Sequence, residues 1–234
     1  MNYFKENIYR LLMKTLEPFG YEIIKTGGVS PCYETHRYVK EDGSFDYQQY
    51  RNVQIKGNID KIEGDSIREE AIAFLSTCLQ ERKNTLKFGL CHGTRRGKEQ
   101  EFFQKYLNCK VLGTEISHTA AEFPDTIEWD FHEVKPEWLN AVDFIYSNAF
   151  DHSYDQEKCL DSWISCLKDD GICIIEHRQG SVHACKLDPF GTHMVFMAYL
   201  ITTWGKGKYS LREIIKSPFP VGTYSYFLII MKNK

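Results

Sequence analysis

The sequence predicts an α/β fold in which a mostly parallel, seven-stranded sheet carries helices on both faces, preceded by a helical and irregular N-terminal extension. From residue 65 onward, short apolar runs alternate with stretches of helical periodicity, which is the pattern of βαβ units. The runs are apolar at nearly every position, as expected for strands that are buried on both faces. The 234 residues suit one such domain with an extension, so we divide the chain into residues 1–64 and 65–234.

The extension contains one helical pattern and one stretch without a period. Apolar residues recur at helical spacing over residues 2–17, and Pro18-Phe19-Gly20 ends the pattern. We expect an amphipathic helix there that packs on the main domain or on a second copy of the chain, which would make the protein a homo-oligomer. Residues 26–58 are polar and rich in tyrosine. We expect an irregular segment there, either a lid over the core or a loop whose rings fill gaps.

The domain itself divides into alternating strands and helices. Asp65-Ser66 can cap the first helix, and Gly171 is placed to end the helix that precedes the fifth strand. The predicted strands cover residues 86–91, 111–113, 127–129, 142–146, 172–175, 211–215 and 226–231. The later predicted helices cover residues 98–107, 156–167 and 194–204.

Charge and composition exclude several classes of protein. The chain has 29 Lys+Arg against 32 Asp+Glu, a net charge of −3, which argues against a nucleic-acid partner. It has no apolar run of about 18 residues that could insert into a membrane. Residues 1–7 lack an apolar signal core, so we expect a cytoplasmic protein. The eight cysteines form no CxxC pair, and we expect reduced thiols.

Polar and aromatic residues follow each of the first five predicted strands. Ligands of an open parallel sheet bind beyond the carboxyl ends of its strands, so these residues are candidates for one site. Glu115 lies about 20 residues beyond the glycine turn, where a carboxylate binds ribose hydroxyls or complements a helix dipole. The candidates are Cys91, His92, Gly93, Thr94, Arg95, Glu115, Ile116, Asp130, Phe131, Ser147, Asn148, His177 and Arg178.

This order of features resembles the class I S-adenosylmethionine-dependent methyltransferases over about residues 65–234. The chain also looks like a subgroup with the strings CHGTRxGKEQ, GTEIS, WDFHE, YSNxFDHSYD and DPFG. The resemblance implies a Rossmann-like sheet, S-adenosylmethionine as cofactor and a small-molecule or glycan acceptor. It further implies that Glu115 holds the ribose, that Asp130 with Phe131 contacts the adenine, and that Cys91–Arg95 with Ile116, Ser147 and Asn148 completes the cofactor site.

The first loop departs from the family pattern D/E-x-G-x-G-x-G. Gly89, Cys91, Gly93 and Arg95 occupy its four defined places, so only the middle glycine is retained. This departure keeps a second hypothesis open, a degenerate methyltransferase fold that serves as a non-catalytic binding or partner subunit. A nicotinamide-dependent oxidoreductase is a third hypothesis, but it would have GxGxxG after the first strand, and that motif is absent.

Two histidines are candidates for the base that an oxygen acceptor requires. Histidine suits this role because its pKa lies near neutrality. His152 follows the fourth strand and is flanked by Asp151 and Asp155, either of which could fix its tautomer. His177 follows the fifth strand. The alternative for each is a structural histidine that hydrogen-bonds the backbone.

Four residues are candidates for contacts with the acceptor: Tyr154, Arg178, Asp188 and His193. Asp188 could bind a hydroxyl or simply make an Asp-Pro turn. A divalent metal held by the histidines of this region and Asp188 would be expected to show HxxxH or HxH spacing, which is absent. We therefore predict no metal site and favour O-methylation.

Overall fold

The computed structural model describes residues 32–64, 67–219 and 223–234, and Cys32–Lys234 form one compact unit. The predicted helix over residues 2–17, and the oligomer contact assigned to it, lie outside the described residues. In chain order the elements are β1 Tyr33–Thr35, α1 Tyr47–Asp60, α2 Glu69–Arg82, β2 Phe88–His92, α3 Lys98–Leu107, β3 Lys110–Glu115, β4 Thr126–Glu128, β5 Val142–Ser147, α4 Gln156–Cys166, β6 Leu167–Arg178, β7 Phe190–Thr192, α5 Met194–Gly205, β8 Tyr209–Lys216 and β9 Ser225–Lys232.

The main sheet has seven strands in the order β4-β3-β2-β5-β6-β9-β8, which confirms the predicted fold class. Strands β2 to β6 pair in parallel, and β9 runs antiparallel between β6 and β8. The chain moves outward from β2 in one direction through β3 and β4, and in the other through β5 and β6. The crevice between β2 and β5 is therefore the switch point, where ligands of such sheets bind.

The core lies on both faces of this sheet. Successive residues of β2 point to opposite faces: Leu90 packs with α4 and α5, and Cys91 packs with α2 and α3. Because both faces are covered, the strands are apolar at nearly every position. None of the eight cysteines, all within the described residues, is paired in a disulfide. Among the described helices, none combines the length and apolar character needed to cross a membrane.

The expectation of an irregular segment over residues 26–58 is wrong for its second half, which is helix α1. The side chain of Asp46 caps this helix by accepting a hydrogen bond from the Gln49 N–H at 2.9 Å. The buried face of α1 consists of Tyr50, Gln54 and Asn58, which are spaced four residues apart. Because the buried face carries a tyrosine and two amides, a search for apolar periodicity does not detect the helix.

Two predicted helix boundaries are also wrong. Helix α2 begins at Glu69 with Arg68 as its N-cap, while the predicted cap at residues 65–66 lies outside the described residues. Gly171 does not end a helix, since β6 already begins at Leu167, which pairs with Val142. The two-stranded sheet of β1 and β7 was not predicted, because three-residue strands carry too short a pattern.

A buried ionic network fixes the start of β5, away from the crevice. The Asp143 carboxylate is almost fully buried and accepts hydrogen bonds from the Lys87 N–H at 2.8 Å, the Phe88 N–H at 3.0 Å and the Lys168 ammonium at 2.8 Å. The Lys83 ammonium lies 3.0 Å away. Burial by itself would raise the pKa of Asp143, but these partners outweigh it and lower the pKa to about 2.

We expect this network to contribute about 2 kcal/mol to the free energy of unfolding at neutral pH. Because the folded-state pKa lies below the ordinary value of 3.8, the contribution is complete above pH 4 and is lost as the pH falls toward 2. Asp143→Asn should thus lower the free energy of unfolding at pH 6. The difference in this free energy between the variant and wild type should shrink in acid. Denaturant unfolding across this pH range measures both, with the exposed Asp169→Asn as control. A difference independent of pH would contradict the prediction.

Candidate active site

A cleft of about 550 Å³, including its open mouth, lies at the carboxyl ends of β2, β3 and β5. Helix α1 forms the side that faces the strand ends. The lining residues are Tyr50, Gln54, Gly57, Asn58, Lys61, Gly93, Arg95, Glu115, Ile116, Asp130, Phe131, Ala149, His152 and Leu187.

The loop after β2 reaches the cleft at Gly93. The N–H groups of Gly93 and Thr94 both donate to the Thr114 carbonyl, at 2.8 and 3.1 Å, which holds the loop against β3. Gly93 has a φ of +73°, and a Cβ placed there would lie 2.6 Å from the Cβ of Ala149. Only glycine can adopt this φ and fit beside Ala149 without strain. The backbone can therefore approach a ligand closely at this point.

Glu115 ends β3 and is held in place by backbone groups alone. Its Oε1 accepts from the Ser117 N–H at 3.1 Å, and its Oε2 accepts from the Arg95 N–H at 3.0 Å. Burial raises the pKa of Glu115, and these two N–H groups oppose the rise. A carboxylate has about four acceptor positions, so each oxygen retains one for a ligand hydroxyl.

Arg95 stands where the family pattern has its last glycine, and it connects the loop to the end of α1. Its guanidinium donates to the Lys61 carbonyl at 3.0 Å and to the Gly64 carbonyl at 2.8 Å. Its backbone adopts a φ of +46°, as a glycine readily would. Arg95 therefore adopts a backbone conformation that suits glycine and adds a contact to the end of the helix that covers the cleft.

Asp130 follows β4 and is already bound by two side chains. Its Oδ1 contacts the Nδ1 of His132 at 2.7 Å, and its Oδ2 accepts from the Tyr47 hydroxyl at 2.9 Å. Burial opposes ionisation of Asp130, but the hydrogen bonds from His132 and Tyr47 prevail and lower its pKa. His132 was not among the predicted site residues, although its position two residues after Asp130 allows a local contact.

An aromatic cluster surrounds His132 behind the cleft wall. The ring of Tyr154 stacks on the His132 imidazole with centroids 3.8 Å apart, and Tyr50 meets Tyr154 edge-on at 4.7 Å. Phe45 and Tyr47 complete the cluster. Tyr154 thus supports the cleft through Tyr50 and does not line it. Part of the tyrosine content of residues 26–58 is explained by this packing.

His152 lies in the cleft between α1 and the turn at residues 185–188. Its Nδ1 is 2.9 Å from the Oε1 of Gln54 and 2.9 Å from the Leu187 carbonyl oxygen. Its Nε2 lies 3.7 Å from the Oδ1 of Asp188. The prediction that Asp151 or Asp155 orients His152 is not what the structure shows, because Asp151 accepts from the Ser181 hydroxyl and Asp155 caps α4.

His177, the second candidate base, lies on β6 and is not among the residues that line the cleft. Its Nε2 donates to the Thr192 carbonyl at 3.1 Å. Burial lowers the pKa of His177 to about 4, which keeps the ring neutral. Arg178 ends the same strand opposite Ser225, and His193 is the N-cap of α5. The structure therefore does not bring these three residues to the cleft.

Five of the predicted cofactor residues lie beneath the cleft surface. The Nδ1 of His92 is 2.8 Å from the Thr114 hydroxyl oxygen, and the Ser147 hydroxyl donates to the His92 carbonyl at 2.9 Å. The Asn148 amide donates to the Oε1 of Glu99 at 3.4 Å. Cys91 and Thr94 are buried. These residues support the loop, whereas Gly93 and Arg95 form its surface in the cleft.

Sequence reasoning missed the contribution of α1 and of Leu187. The lining residues Tyr50, Gln54, Asn58 and Lys61 recur at helical spacing, and this polar and aromatic stripe is the signal that could have found them. Leu187 had no such signal. Within the described ranges, no group of three His, Cys, Asp or Glu side chains is arranged to hold a metal ion.

Comparison with known proteins shows similarity at the level of structure. No family model and no curated protein matches the sequence. Burkholderia thailandensis 1,6-didemethyltoxoflavin-N1-methyltransferase, solved with S-adenosylhomocysteine, is 13% identical with a TM-score of 0.64, over 89% of this chain and 99% of that one. The plantazolicin methyltransferase, also solved with S-adenosylhomocysteine, is 14% identical with a TM-score of 0.60, over 80% and 96% of the two chains.

The mitomycin 7-O-methyltransferase is 10% identical with a TM-score of 0.56, over 80% of this chain and 66% of that one. At these identities the likeness concerns the fold, and it agrees with the sheet order and the position of the cleft described above. The resemblance drawn from the motifs is therefore confirmed for the architecture. The chain has the Rossmann-like fold of the S-adenosylmethionine-dependent methyltransferases.

Proposed function

We propose that this chain is an S-adenosylmethionine-dependent methyltransferase that methylates a hydroxyl oxygen of a small molecule or sugar. The observation that carries the proposal is the carboxylate of Glu115. It ends the strand next to β2, is oriented by two backbone N–H groups and faces a cleft at the switch point of the sheet. A vicinal diol such as a ribose can donate to both of its oxygens.

The remaining lining residues fit an adenosine. Ile116 follows β3, Phe131 follows β4, and both add apolar surface to the cleft, which suits a flat base. The oxygens of Asp130 accept from His132 and Tyr47 and keep acceptor capacity for an adenine amino group. Gly93 lets the backbone contact the ligand directly. Two of the neighbours named above were solved with S-adenosylhomocysteine, which supports the same cofactor here.

When bound, S-adenosylmethionine supplies an electrophilic methyl carbon, whose bond to sulfur breaks with its electron pair as the bond to the acceptor forms. The protein must align the acceptor and remove the hydroxyl proton. His152 is the group placed for this task, since its Nε2 is directed away from the Gln54 and Leu187 contacts. Asp188 stands beside that nitrogen and would stabilise the imidazolium after proton transfer.

The choice of oxygen as acceptor rests on this base. The neighbours include both an N1-methyltransferase and a 7-O-methyltransferase, so their names support a small-molecule acceptor of either kind. A hydroxyl acceptor has to lose its proton during methyl transfer, and an imidazole in the cleft can accept that proton. We retain a glycan hydroxyl as an acceptor because a sugar presents the same group.

Calorimetry tests the proposed cofactor. We expect S-adenosylmethionine and S-adenosylhomocysteine to bind, and Glu115→Ala to weaken that binding by about 1–3 kcal/mol, the cost of losing charge-assisted hydrogen bonds. Glu122→Ala, an exposed glutamate close by in the chain, serves as the matched control and should bind like wild type. Wild-type affinity in Glu115→Ala would remove Glu115 from the ribose role. No binding of either compound at millimolar concentration would contradict the proposed function.

A non-catalytic binding subunit is the second candidate, and one observation favours it. Gly89 occupies the place of the acidic residue in the family pattern, and a Cβ there would lie 2.3 Å from the ring of Phe144. The space for an acidic side chain is therefore filled by Phe144. A chain that binds S-adenosylhomocysteine but transfers no methyl group to any hydroxyl compound tested would support this candidate.

A further inference from the structure

The contacts of the His152 imidazole define which of its nitrogens carries the hydrogen. Nδ1 lies 2.9 Å from the Oε1 of Gln54 and 2.9 Å from the carbonyl oxygen of Leu187. Both of these atoms can only accept hydrogen bonds. Nδ1 must therefore be the donor, and in the neutral ring the lone pair lies on Nε2.

The orientation of the Gln54 amide is determined by a separate contact. Its Nε2 donates to the Leu187 carbonyl at 2.9 Å, which leaves its Oε1 toward the imidazole. A flipped amide would place two oxygens against each other. Gln54 is buried on the face of α1 that lines the cleft, so water cannot readily replace it.

The three elements that carry these groups are tied together. The Tyr38 hydroxyl donates to the Lys186 carbonyl, and the Cys185 N–H donates to the Asp188 carbonyl at 2.8 Å, which fixes the turn that presents Leu187. The Tyr50 hydroxyl donates to the His152 carbonyl at 3.2 Å, which joins α1 to the backbone of the histidine. The helix and the turn that contact the imidazole are thus themselves fixed by hydrogen bonds.

We propose that Gln54 is a positioning residue that, together with the Leu187 carbonyl, keeps His152 in the Nδ1–H tautomer and leaves Nε2 as the proton-accepting atom in the cleft. The role of this tautomer in catalysis rests on the proposed function, but the tautomer itself is a property of the protein without ligands. Histidine bases are commonly oriented through the nitrogen that does not react. Here the orienting group comes from the helix that covers the cleft.

Nitrogen-15 NMR of the histidine rings tests the tautomer without any activity. His152 is assigned by the signal that disappears in His152→Gln. We expect wild type to show only the Nδ1–H tautomer at alkaline pH, and Gln54→Met to show a second tautomer because one of the two acceptors is lost. Gln54→Glu loses the donor to the Leu187 carbonyl but retains an acceptor oxygen toward Nδ1, so it should keep the Nδ1–H form. A wild-type ring in the Nε2–H form, or a tautomer unchanged in Gln54→Met, would overturn the proposal.

The charged residues that line the cleft with His152 are Lys61, Arg95, Glu115 and Asp130, and Asp188 lies beside its Nε2. Gln54→Met changes none of these charges, so its effect reports on the hydrogen bond. Gln49→Met, on the exposed face of the same helix, is the matched control for folding and should resemble wild type in both spectrum and unfolding midpoint.

Activity gives a second readout once an acceptor is known. Gln54→Met should lower kcat about tenfold with KM for S-adenosylmethionine unchanged, whereas Gln54→Glu should recover most of that loss. If wild type proves to transfer no methyl group, the proposed function fails while the tautomer result stands. If wild type is active and Gln54→Met matches it in kcat, the positioning role fails while the proposed function stands.

Discussion

His152→Gln is expected to lower kcat by roughly 10²–10⁴-fold, the range contributed by a general base. Glutamine keeps a polar side chain near Gln54 and Leu187 but has no nitrogen that can take a proton. The cofactor contacts proposed for Glu115, Gly93 and Phe131 are untouched, so S-adenosylmethionine should bind with an affinity within about twofold of wild type. Steady-state kinetics with calorimetry on the same preparation separates these two effects.

The matched variant is His177→Gln. His177 was an equal candidate on sequence grounds, but it is buried, donates to the Thr192 carbonyl and is not among the lining residues. We expect His177→Gln to keep nearly full kcat. Full activity in His152→Gln, or a larger loss in His177→Gln, would contradict the assignment.

Gly93→Ala is expected to cost about 2–5 kcal/mol of folding free energy, since left-handed backbone strain of roughly 1–2 kcal/mol adds to about 1–3 kcal/mol of overpacking. The strain arises at a φ of +73°, and the overpacking arises because the new Cβ would lie 2.6 Å from the Cβ of Ala149. Gly93 and Ala149 both line the cleft, so relief of that contact changes the cleft wall, and affinity for S-adenosylmethionine should fall at least tenfold.

Two further variants separate the contributions. Gly43 has a φ of +81°, and no heavy atom lies within 4 Å of the position that a Cβ would take there, so Gly43→Ala measures the backbone strain alone. In the double variant Gly93→Ala/Ala149→Gly the atom that crowds the new Cβ is gone, and the overpacking cost should be recovered. Denaturant unfolding gives the free energies, and calorimetry gives the affinity. Equal costs for Gly93→Ala and Gly43→Ala, with no recovery in the double variant, would show that the contact with Ala149 carries no energy.

The parallel part of the sheet was predictable because its strands are buried on both faces. Apolar runs such as the one that contains Leu90 and Cys91 identify a strand whatever its neighbours. Helices α3 and α4 show ordinary apolar periodicity, and α5 is apolar at most of its positions. The same logic located Glu115, Asp130 and Phe131. In a parallel sheet the residues that follow consecutive strands meet at one edge, so order along the chain predicts proximity.

Helix α1 was not predictable in this way. Its buried face is Tyr50, Gln54 and Asn58, whose burial depends on partners far along the chain: the His152 and Leu187 carbonyls and the Thr119 hydroxyl. A buried amide is tolerated only where such partners exist. No local pattern reveals that condition, so the sequence predicts an irregular segment where the structure has a helix.

By itself the sequence determined the sheet, the position of its switch point and the carboxylate that ends the strand beside it. Those properties follow from the burial of each strand, which its own residues reveal, and from the order of the strands along the chain. Only the tertiary structure placed His152 in the cleft and His177 outside its lining, and only it showed that Gln54 and Leu187, rather than Asp151, contact the imidazole. The physical reason is that these hydrogen bonds join segments distant in the chain. Whether their atoms come within hydrogen-bonding distance depends on how the segments pack.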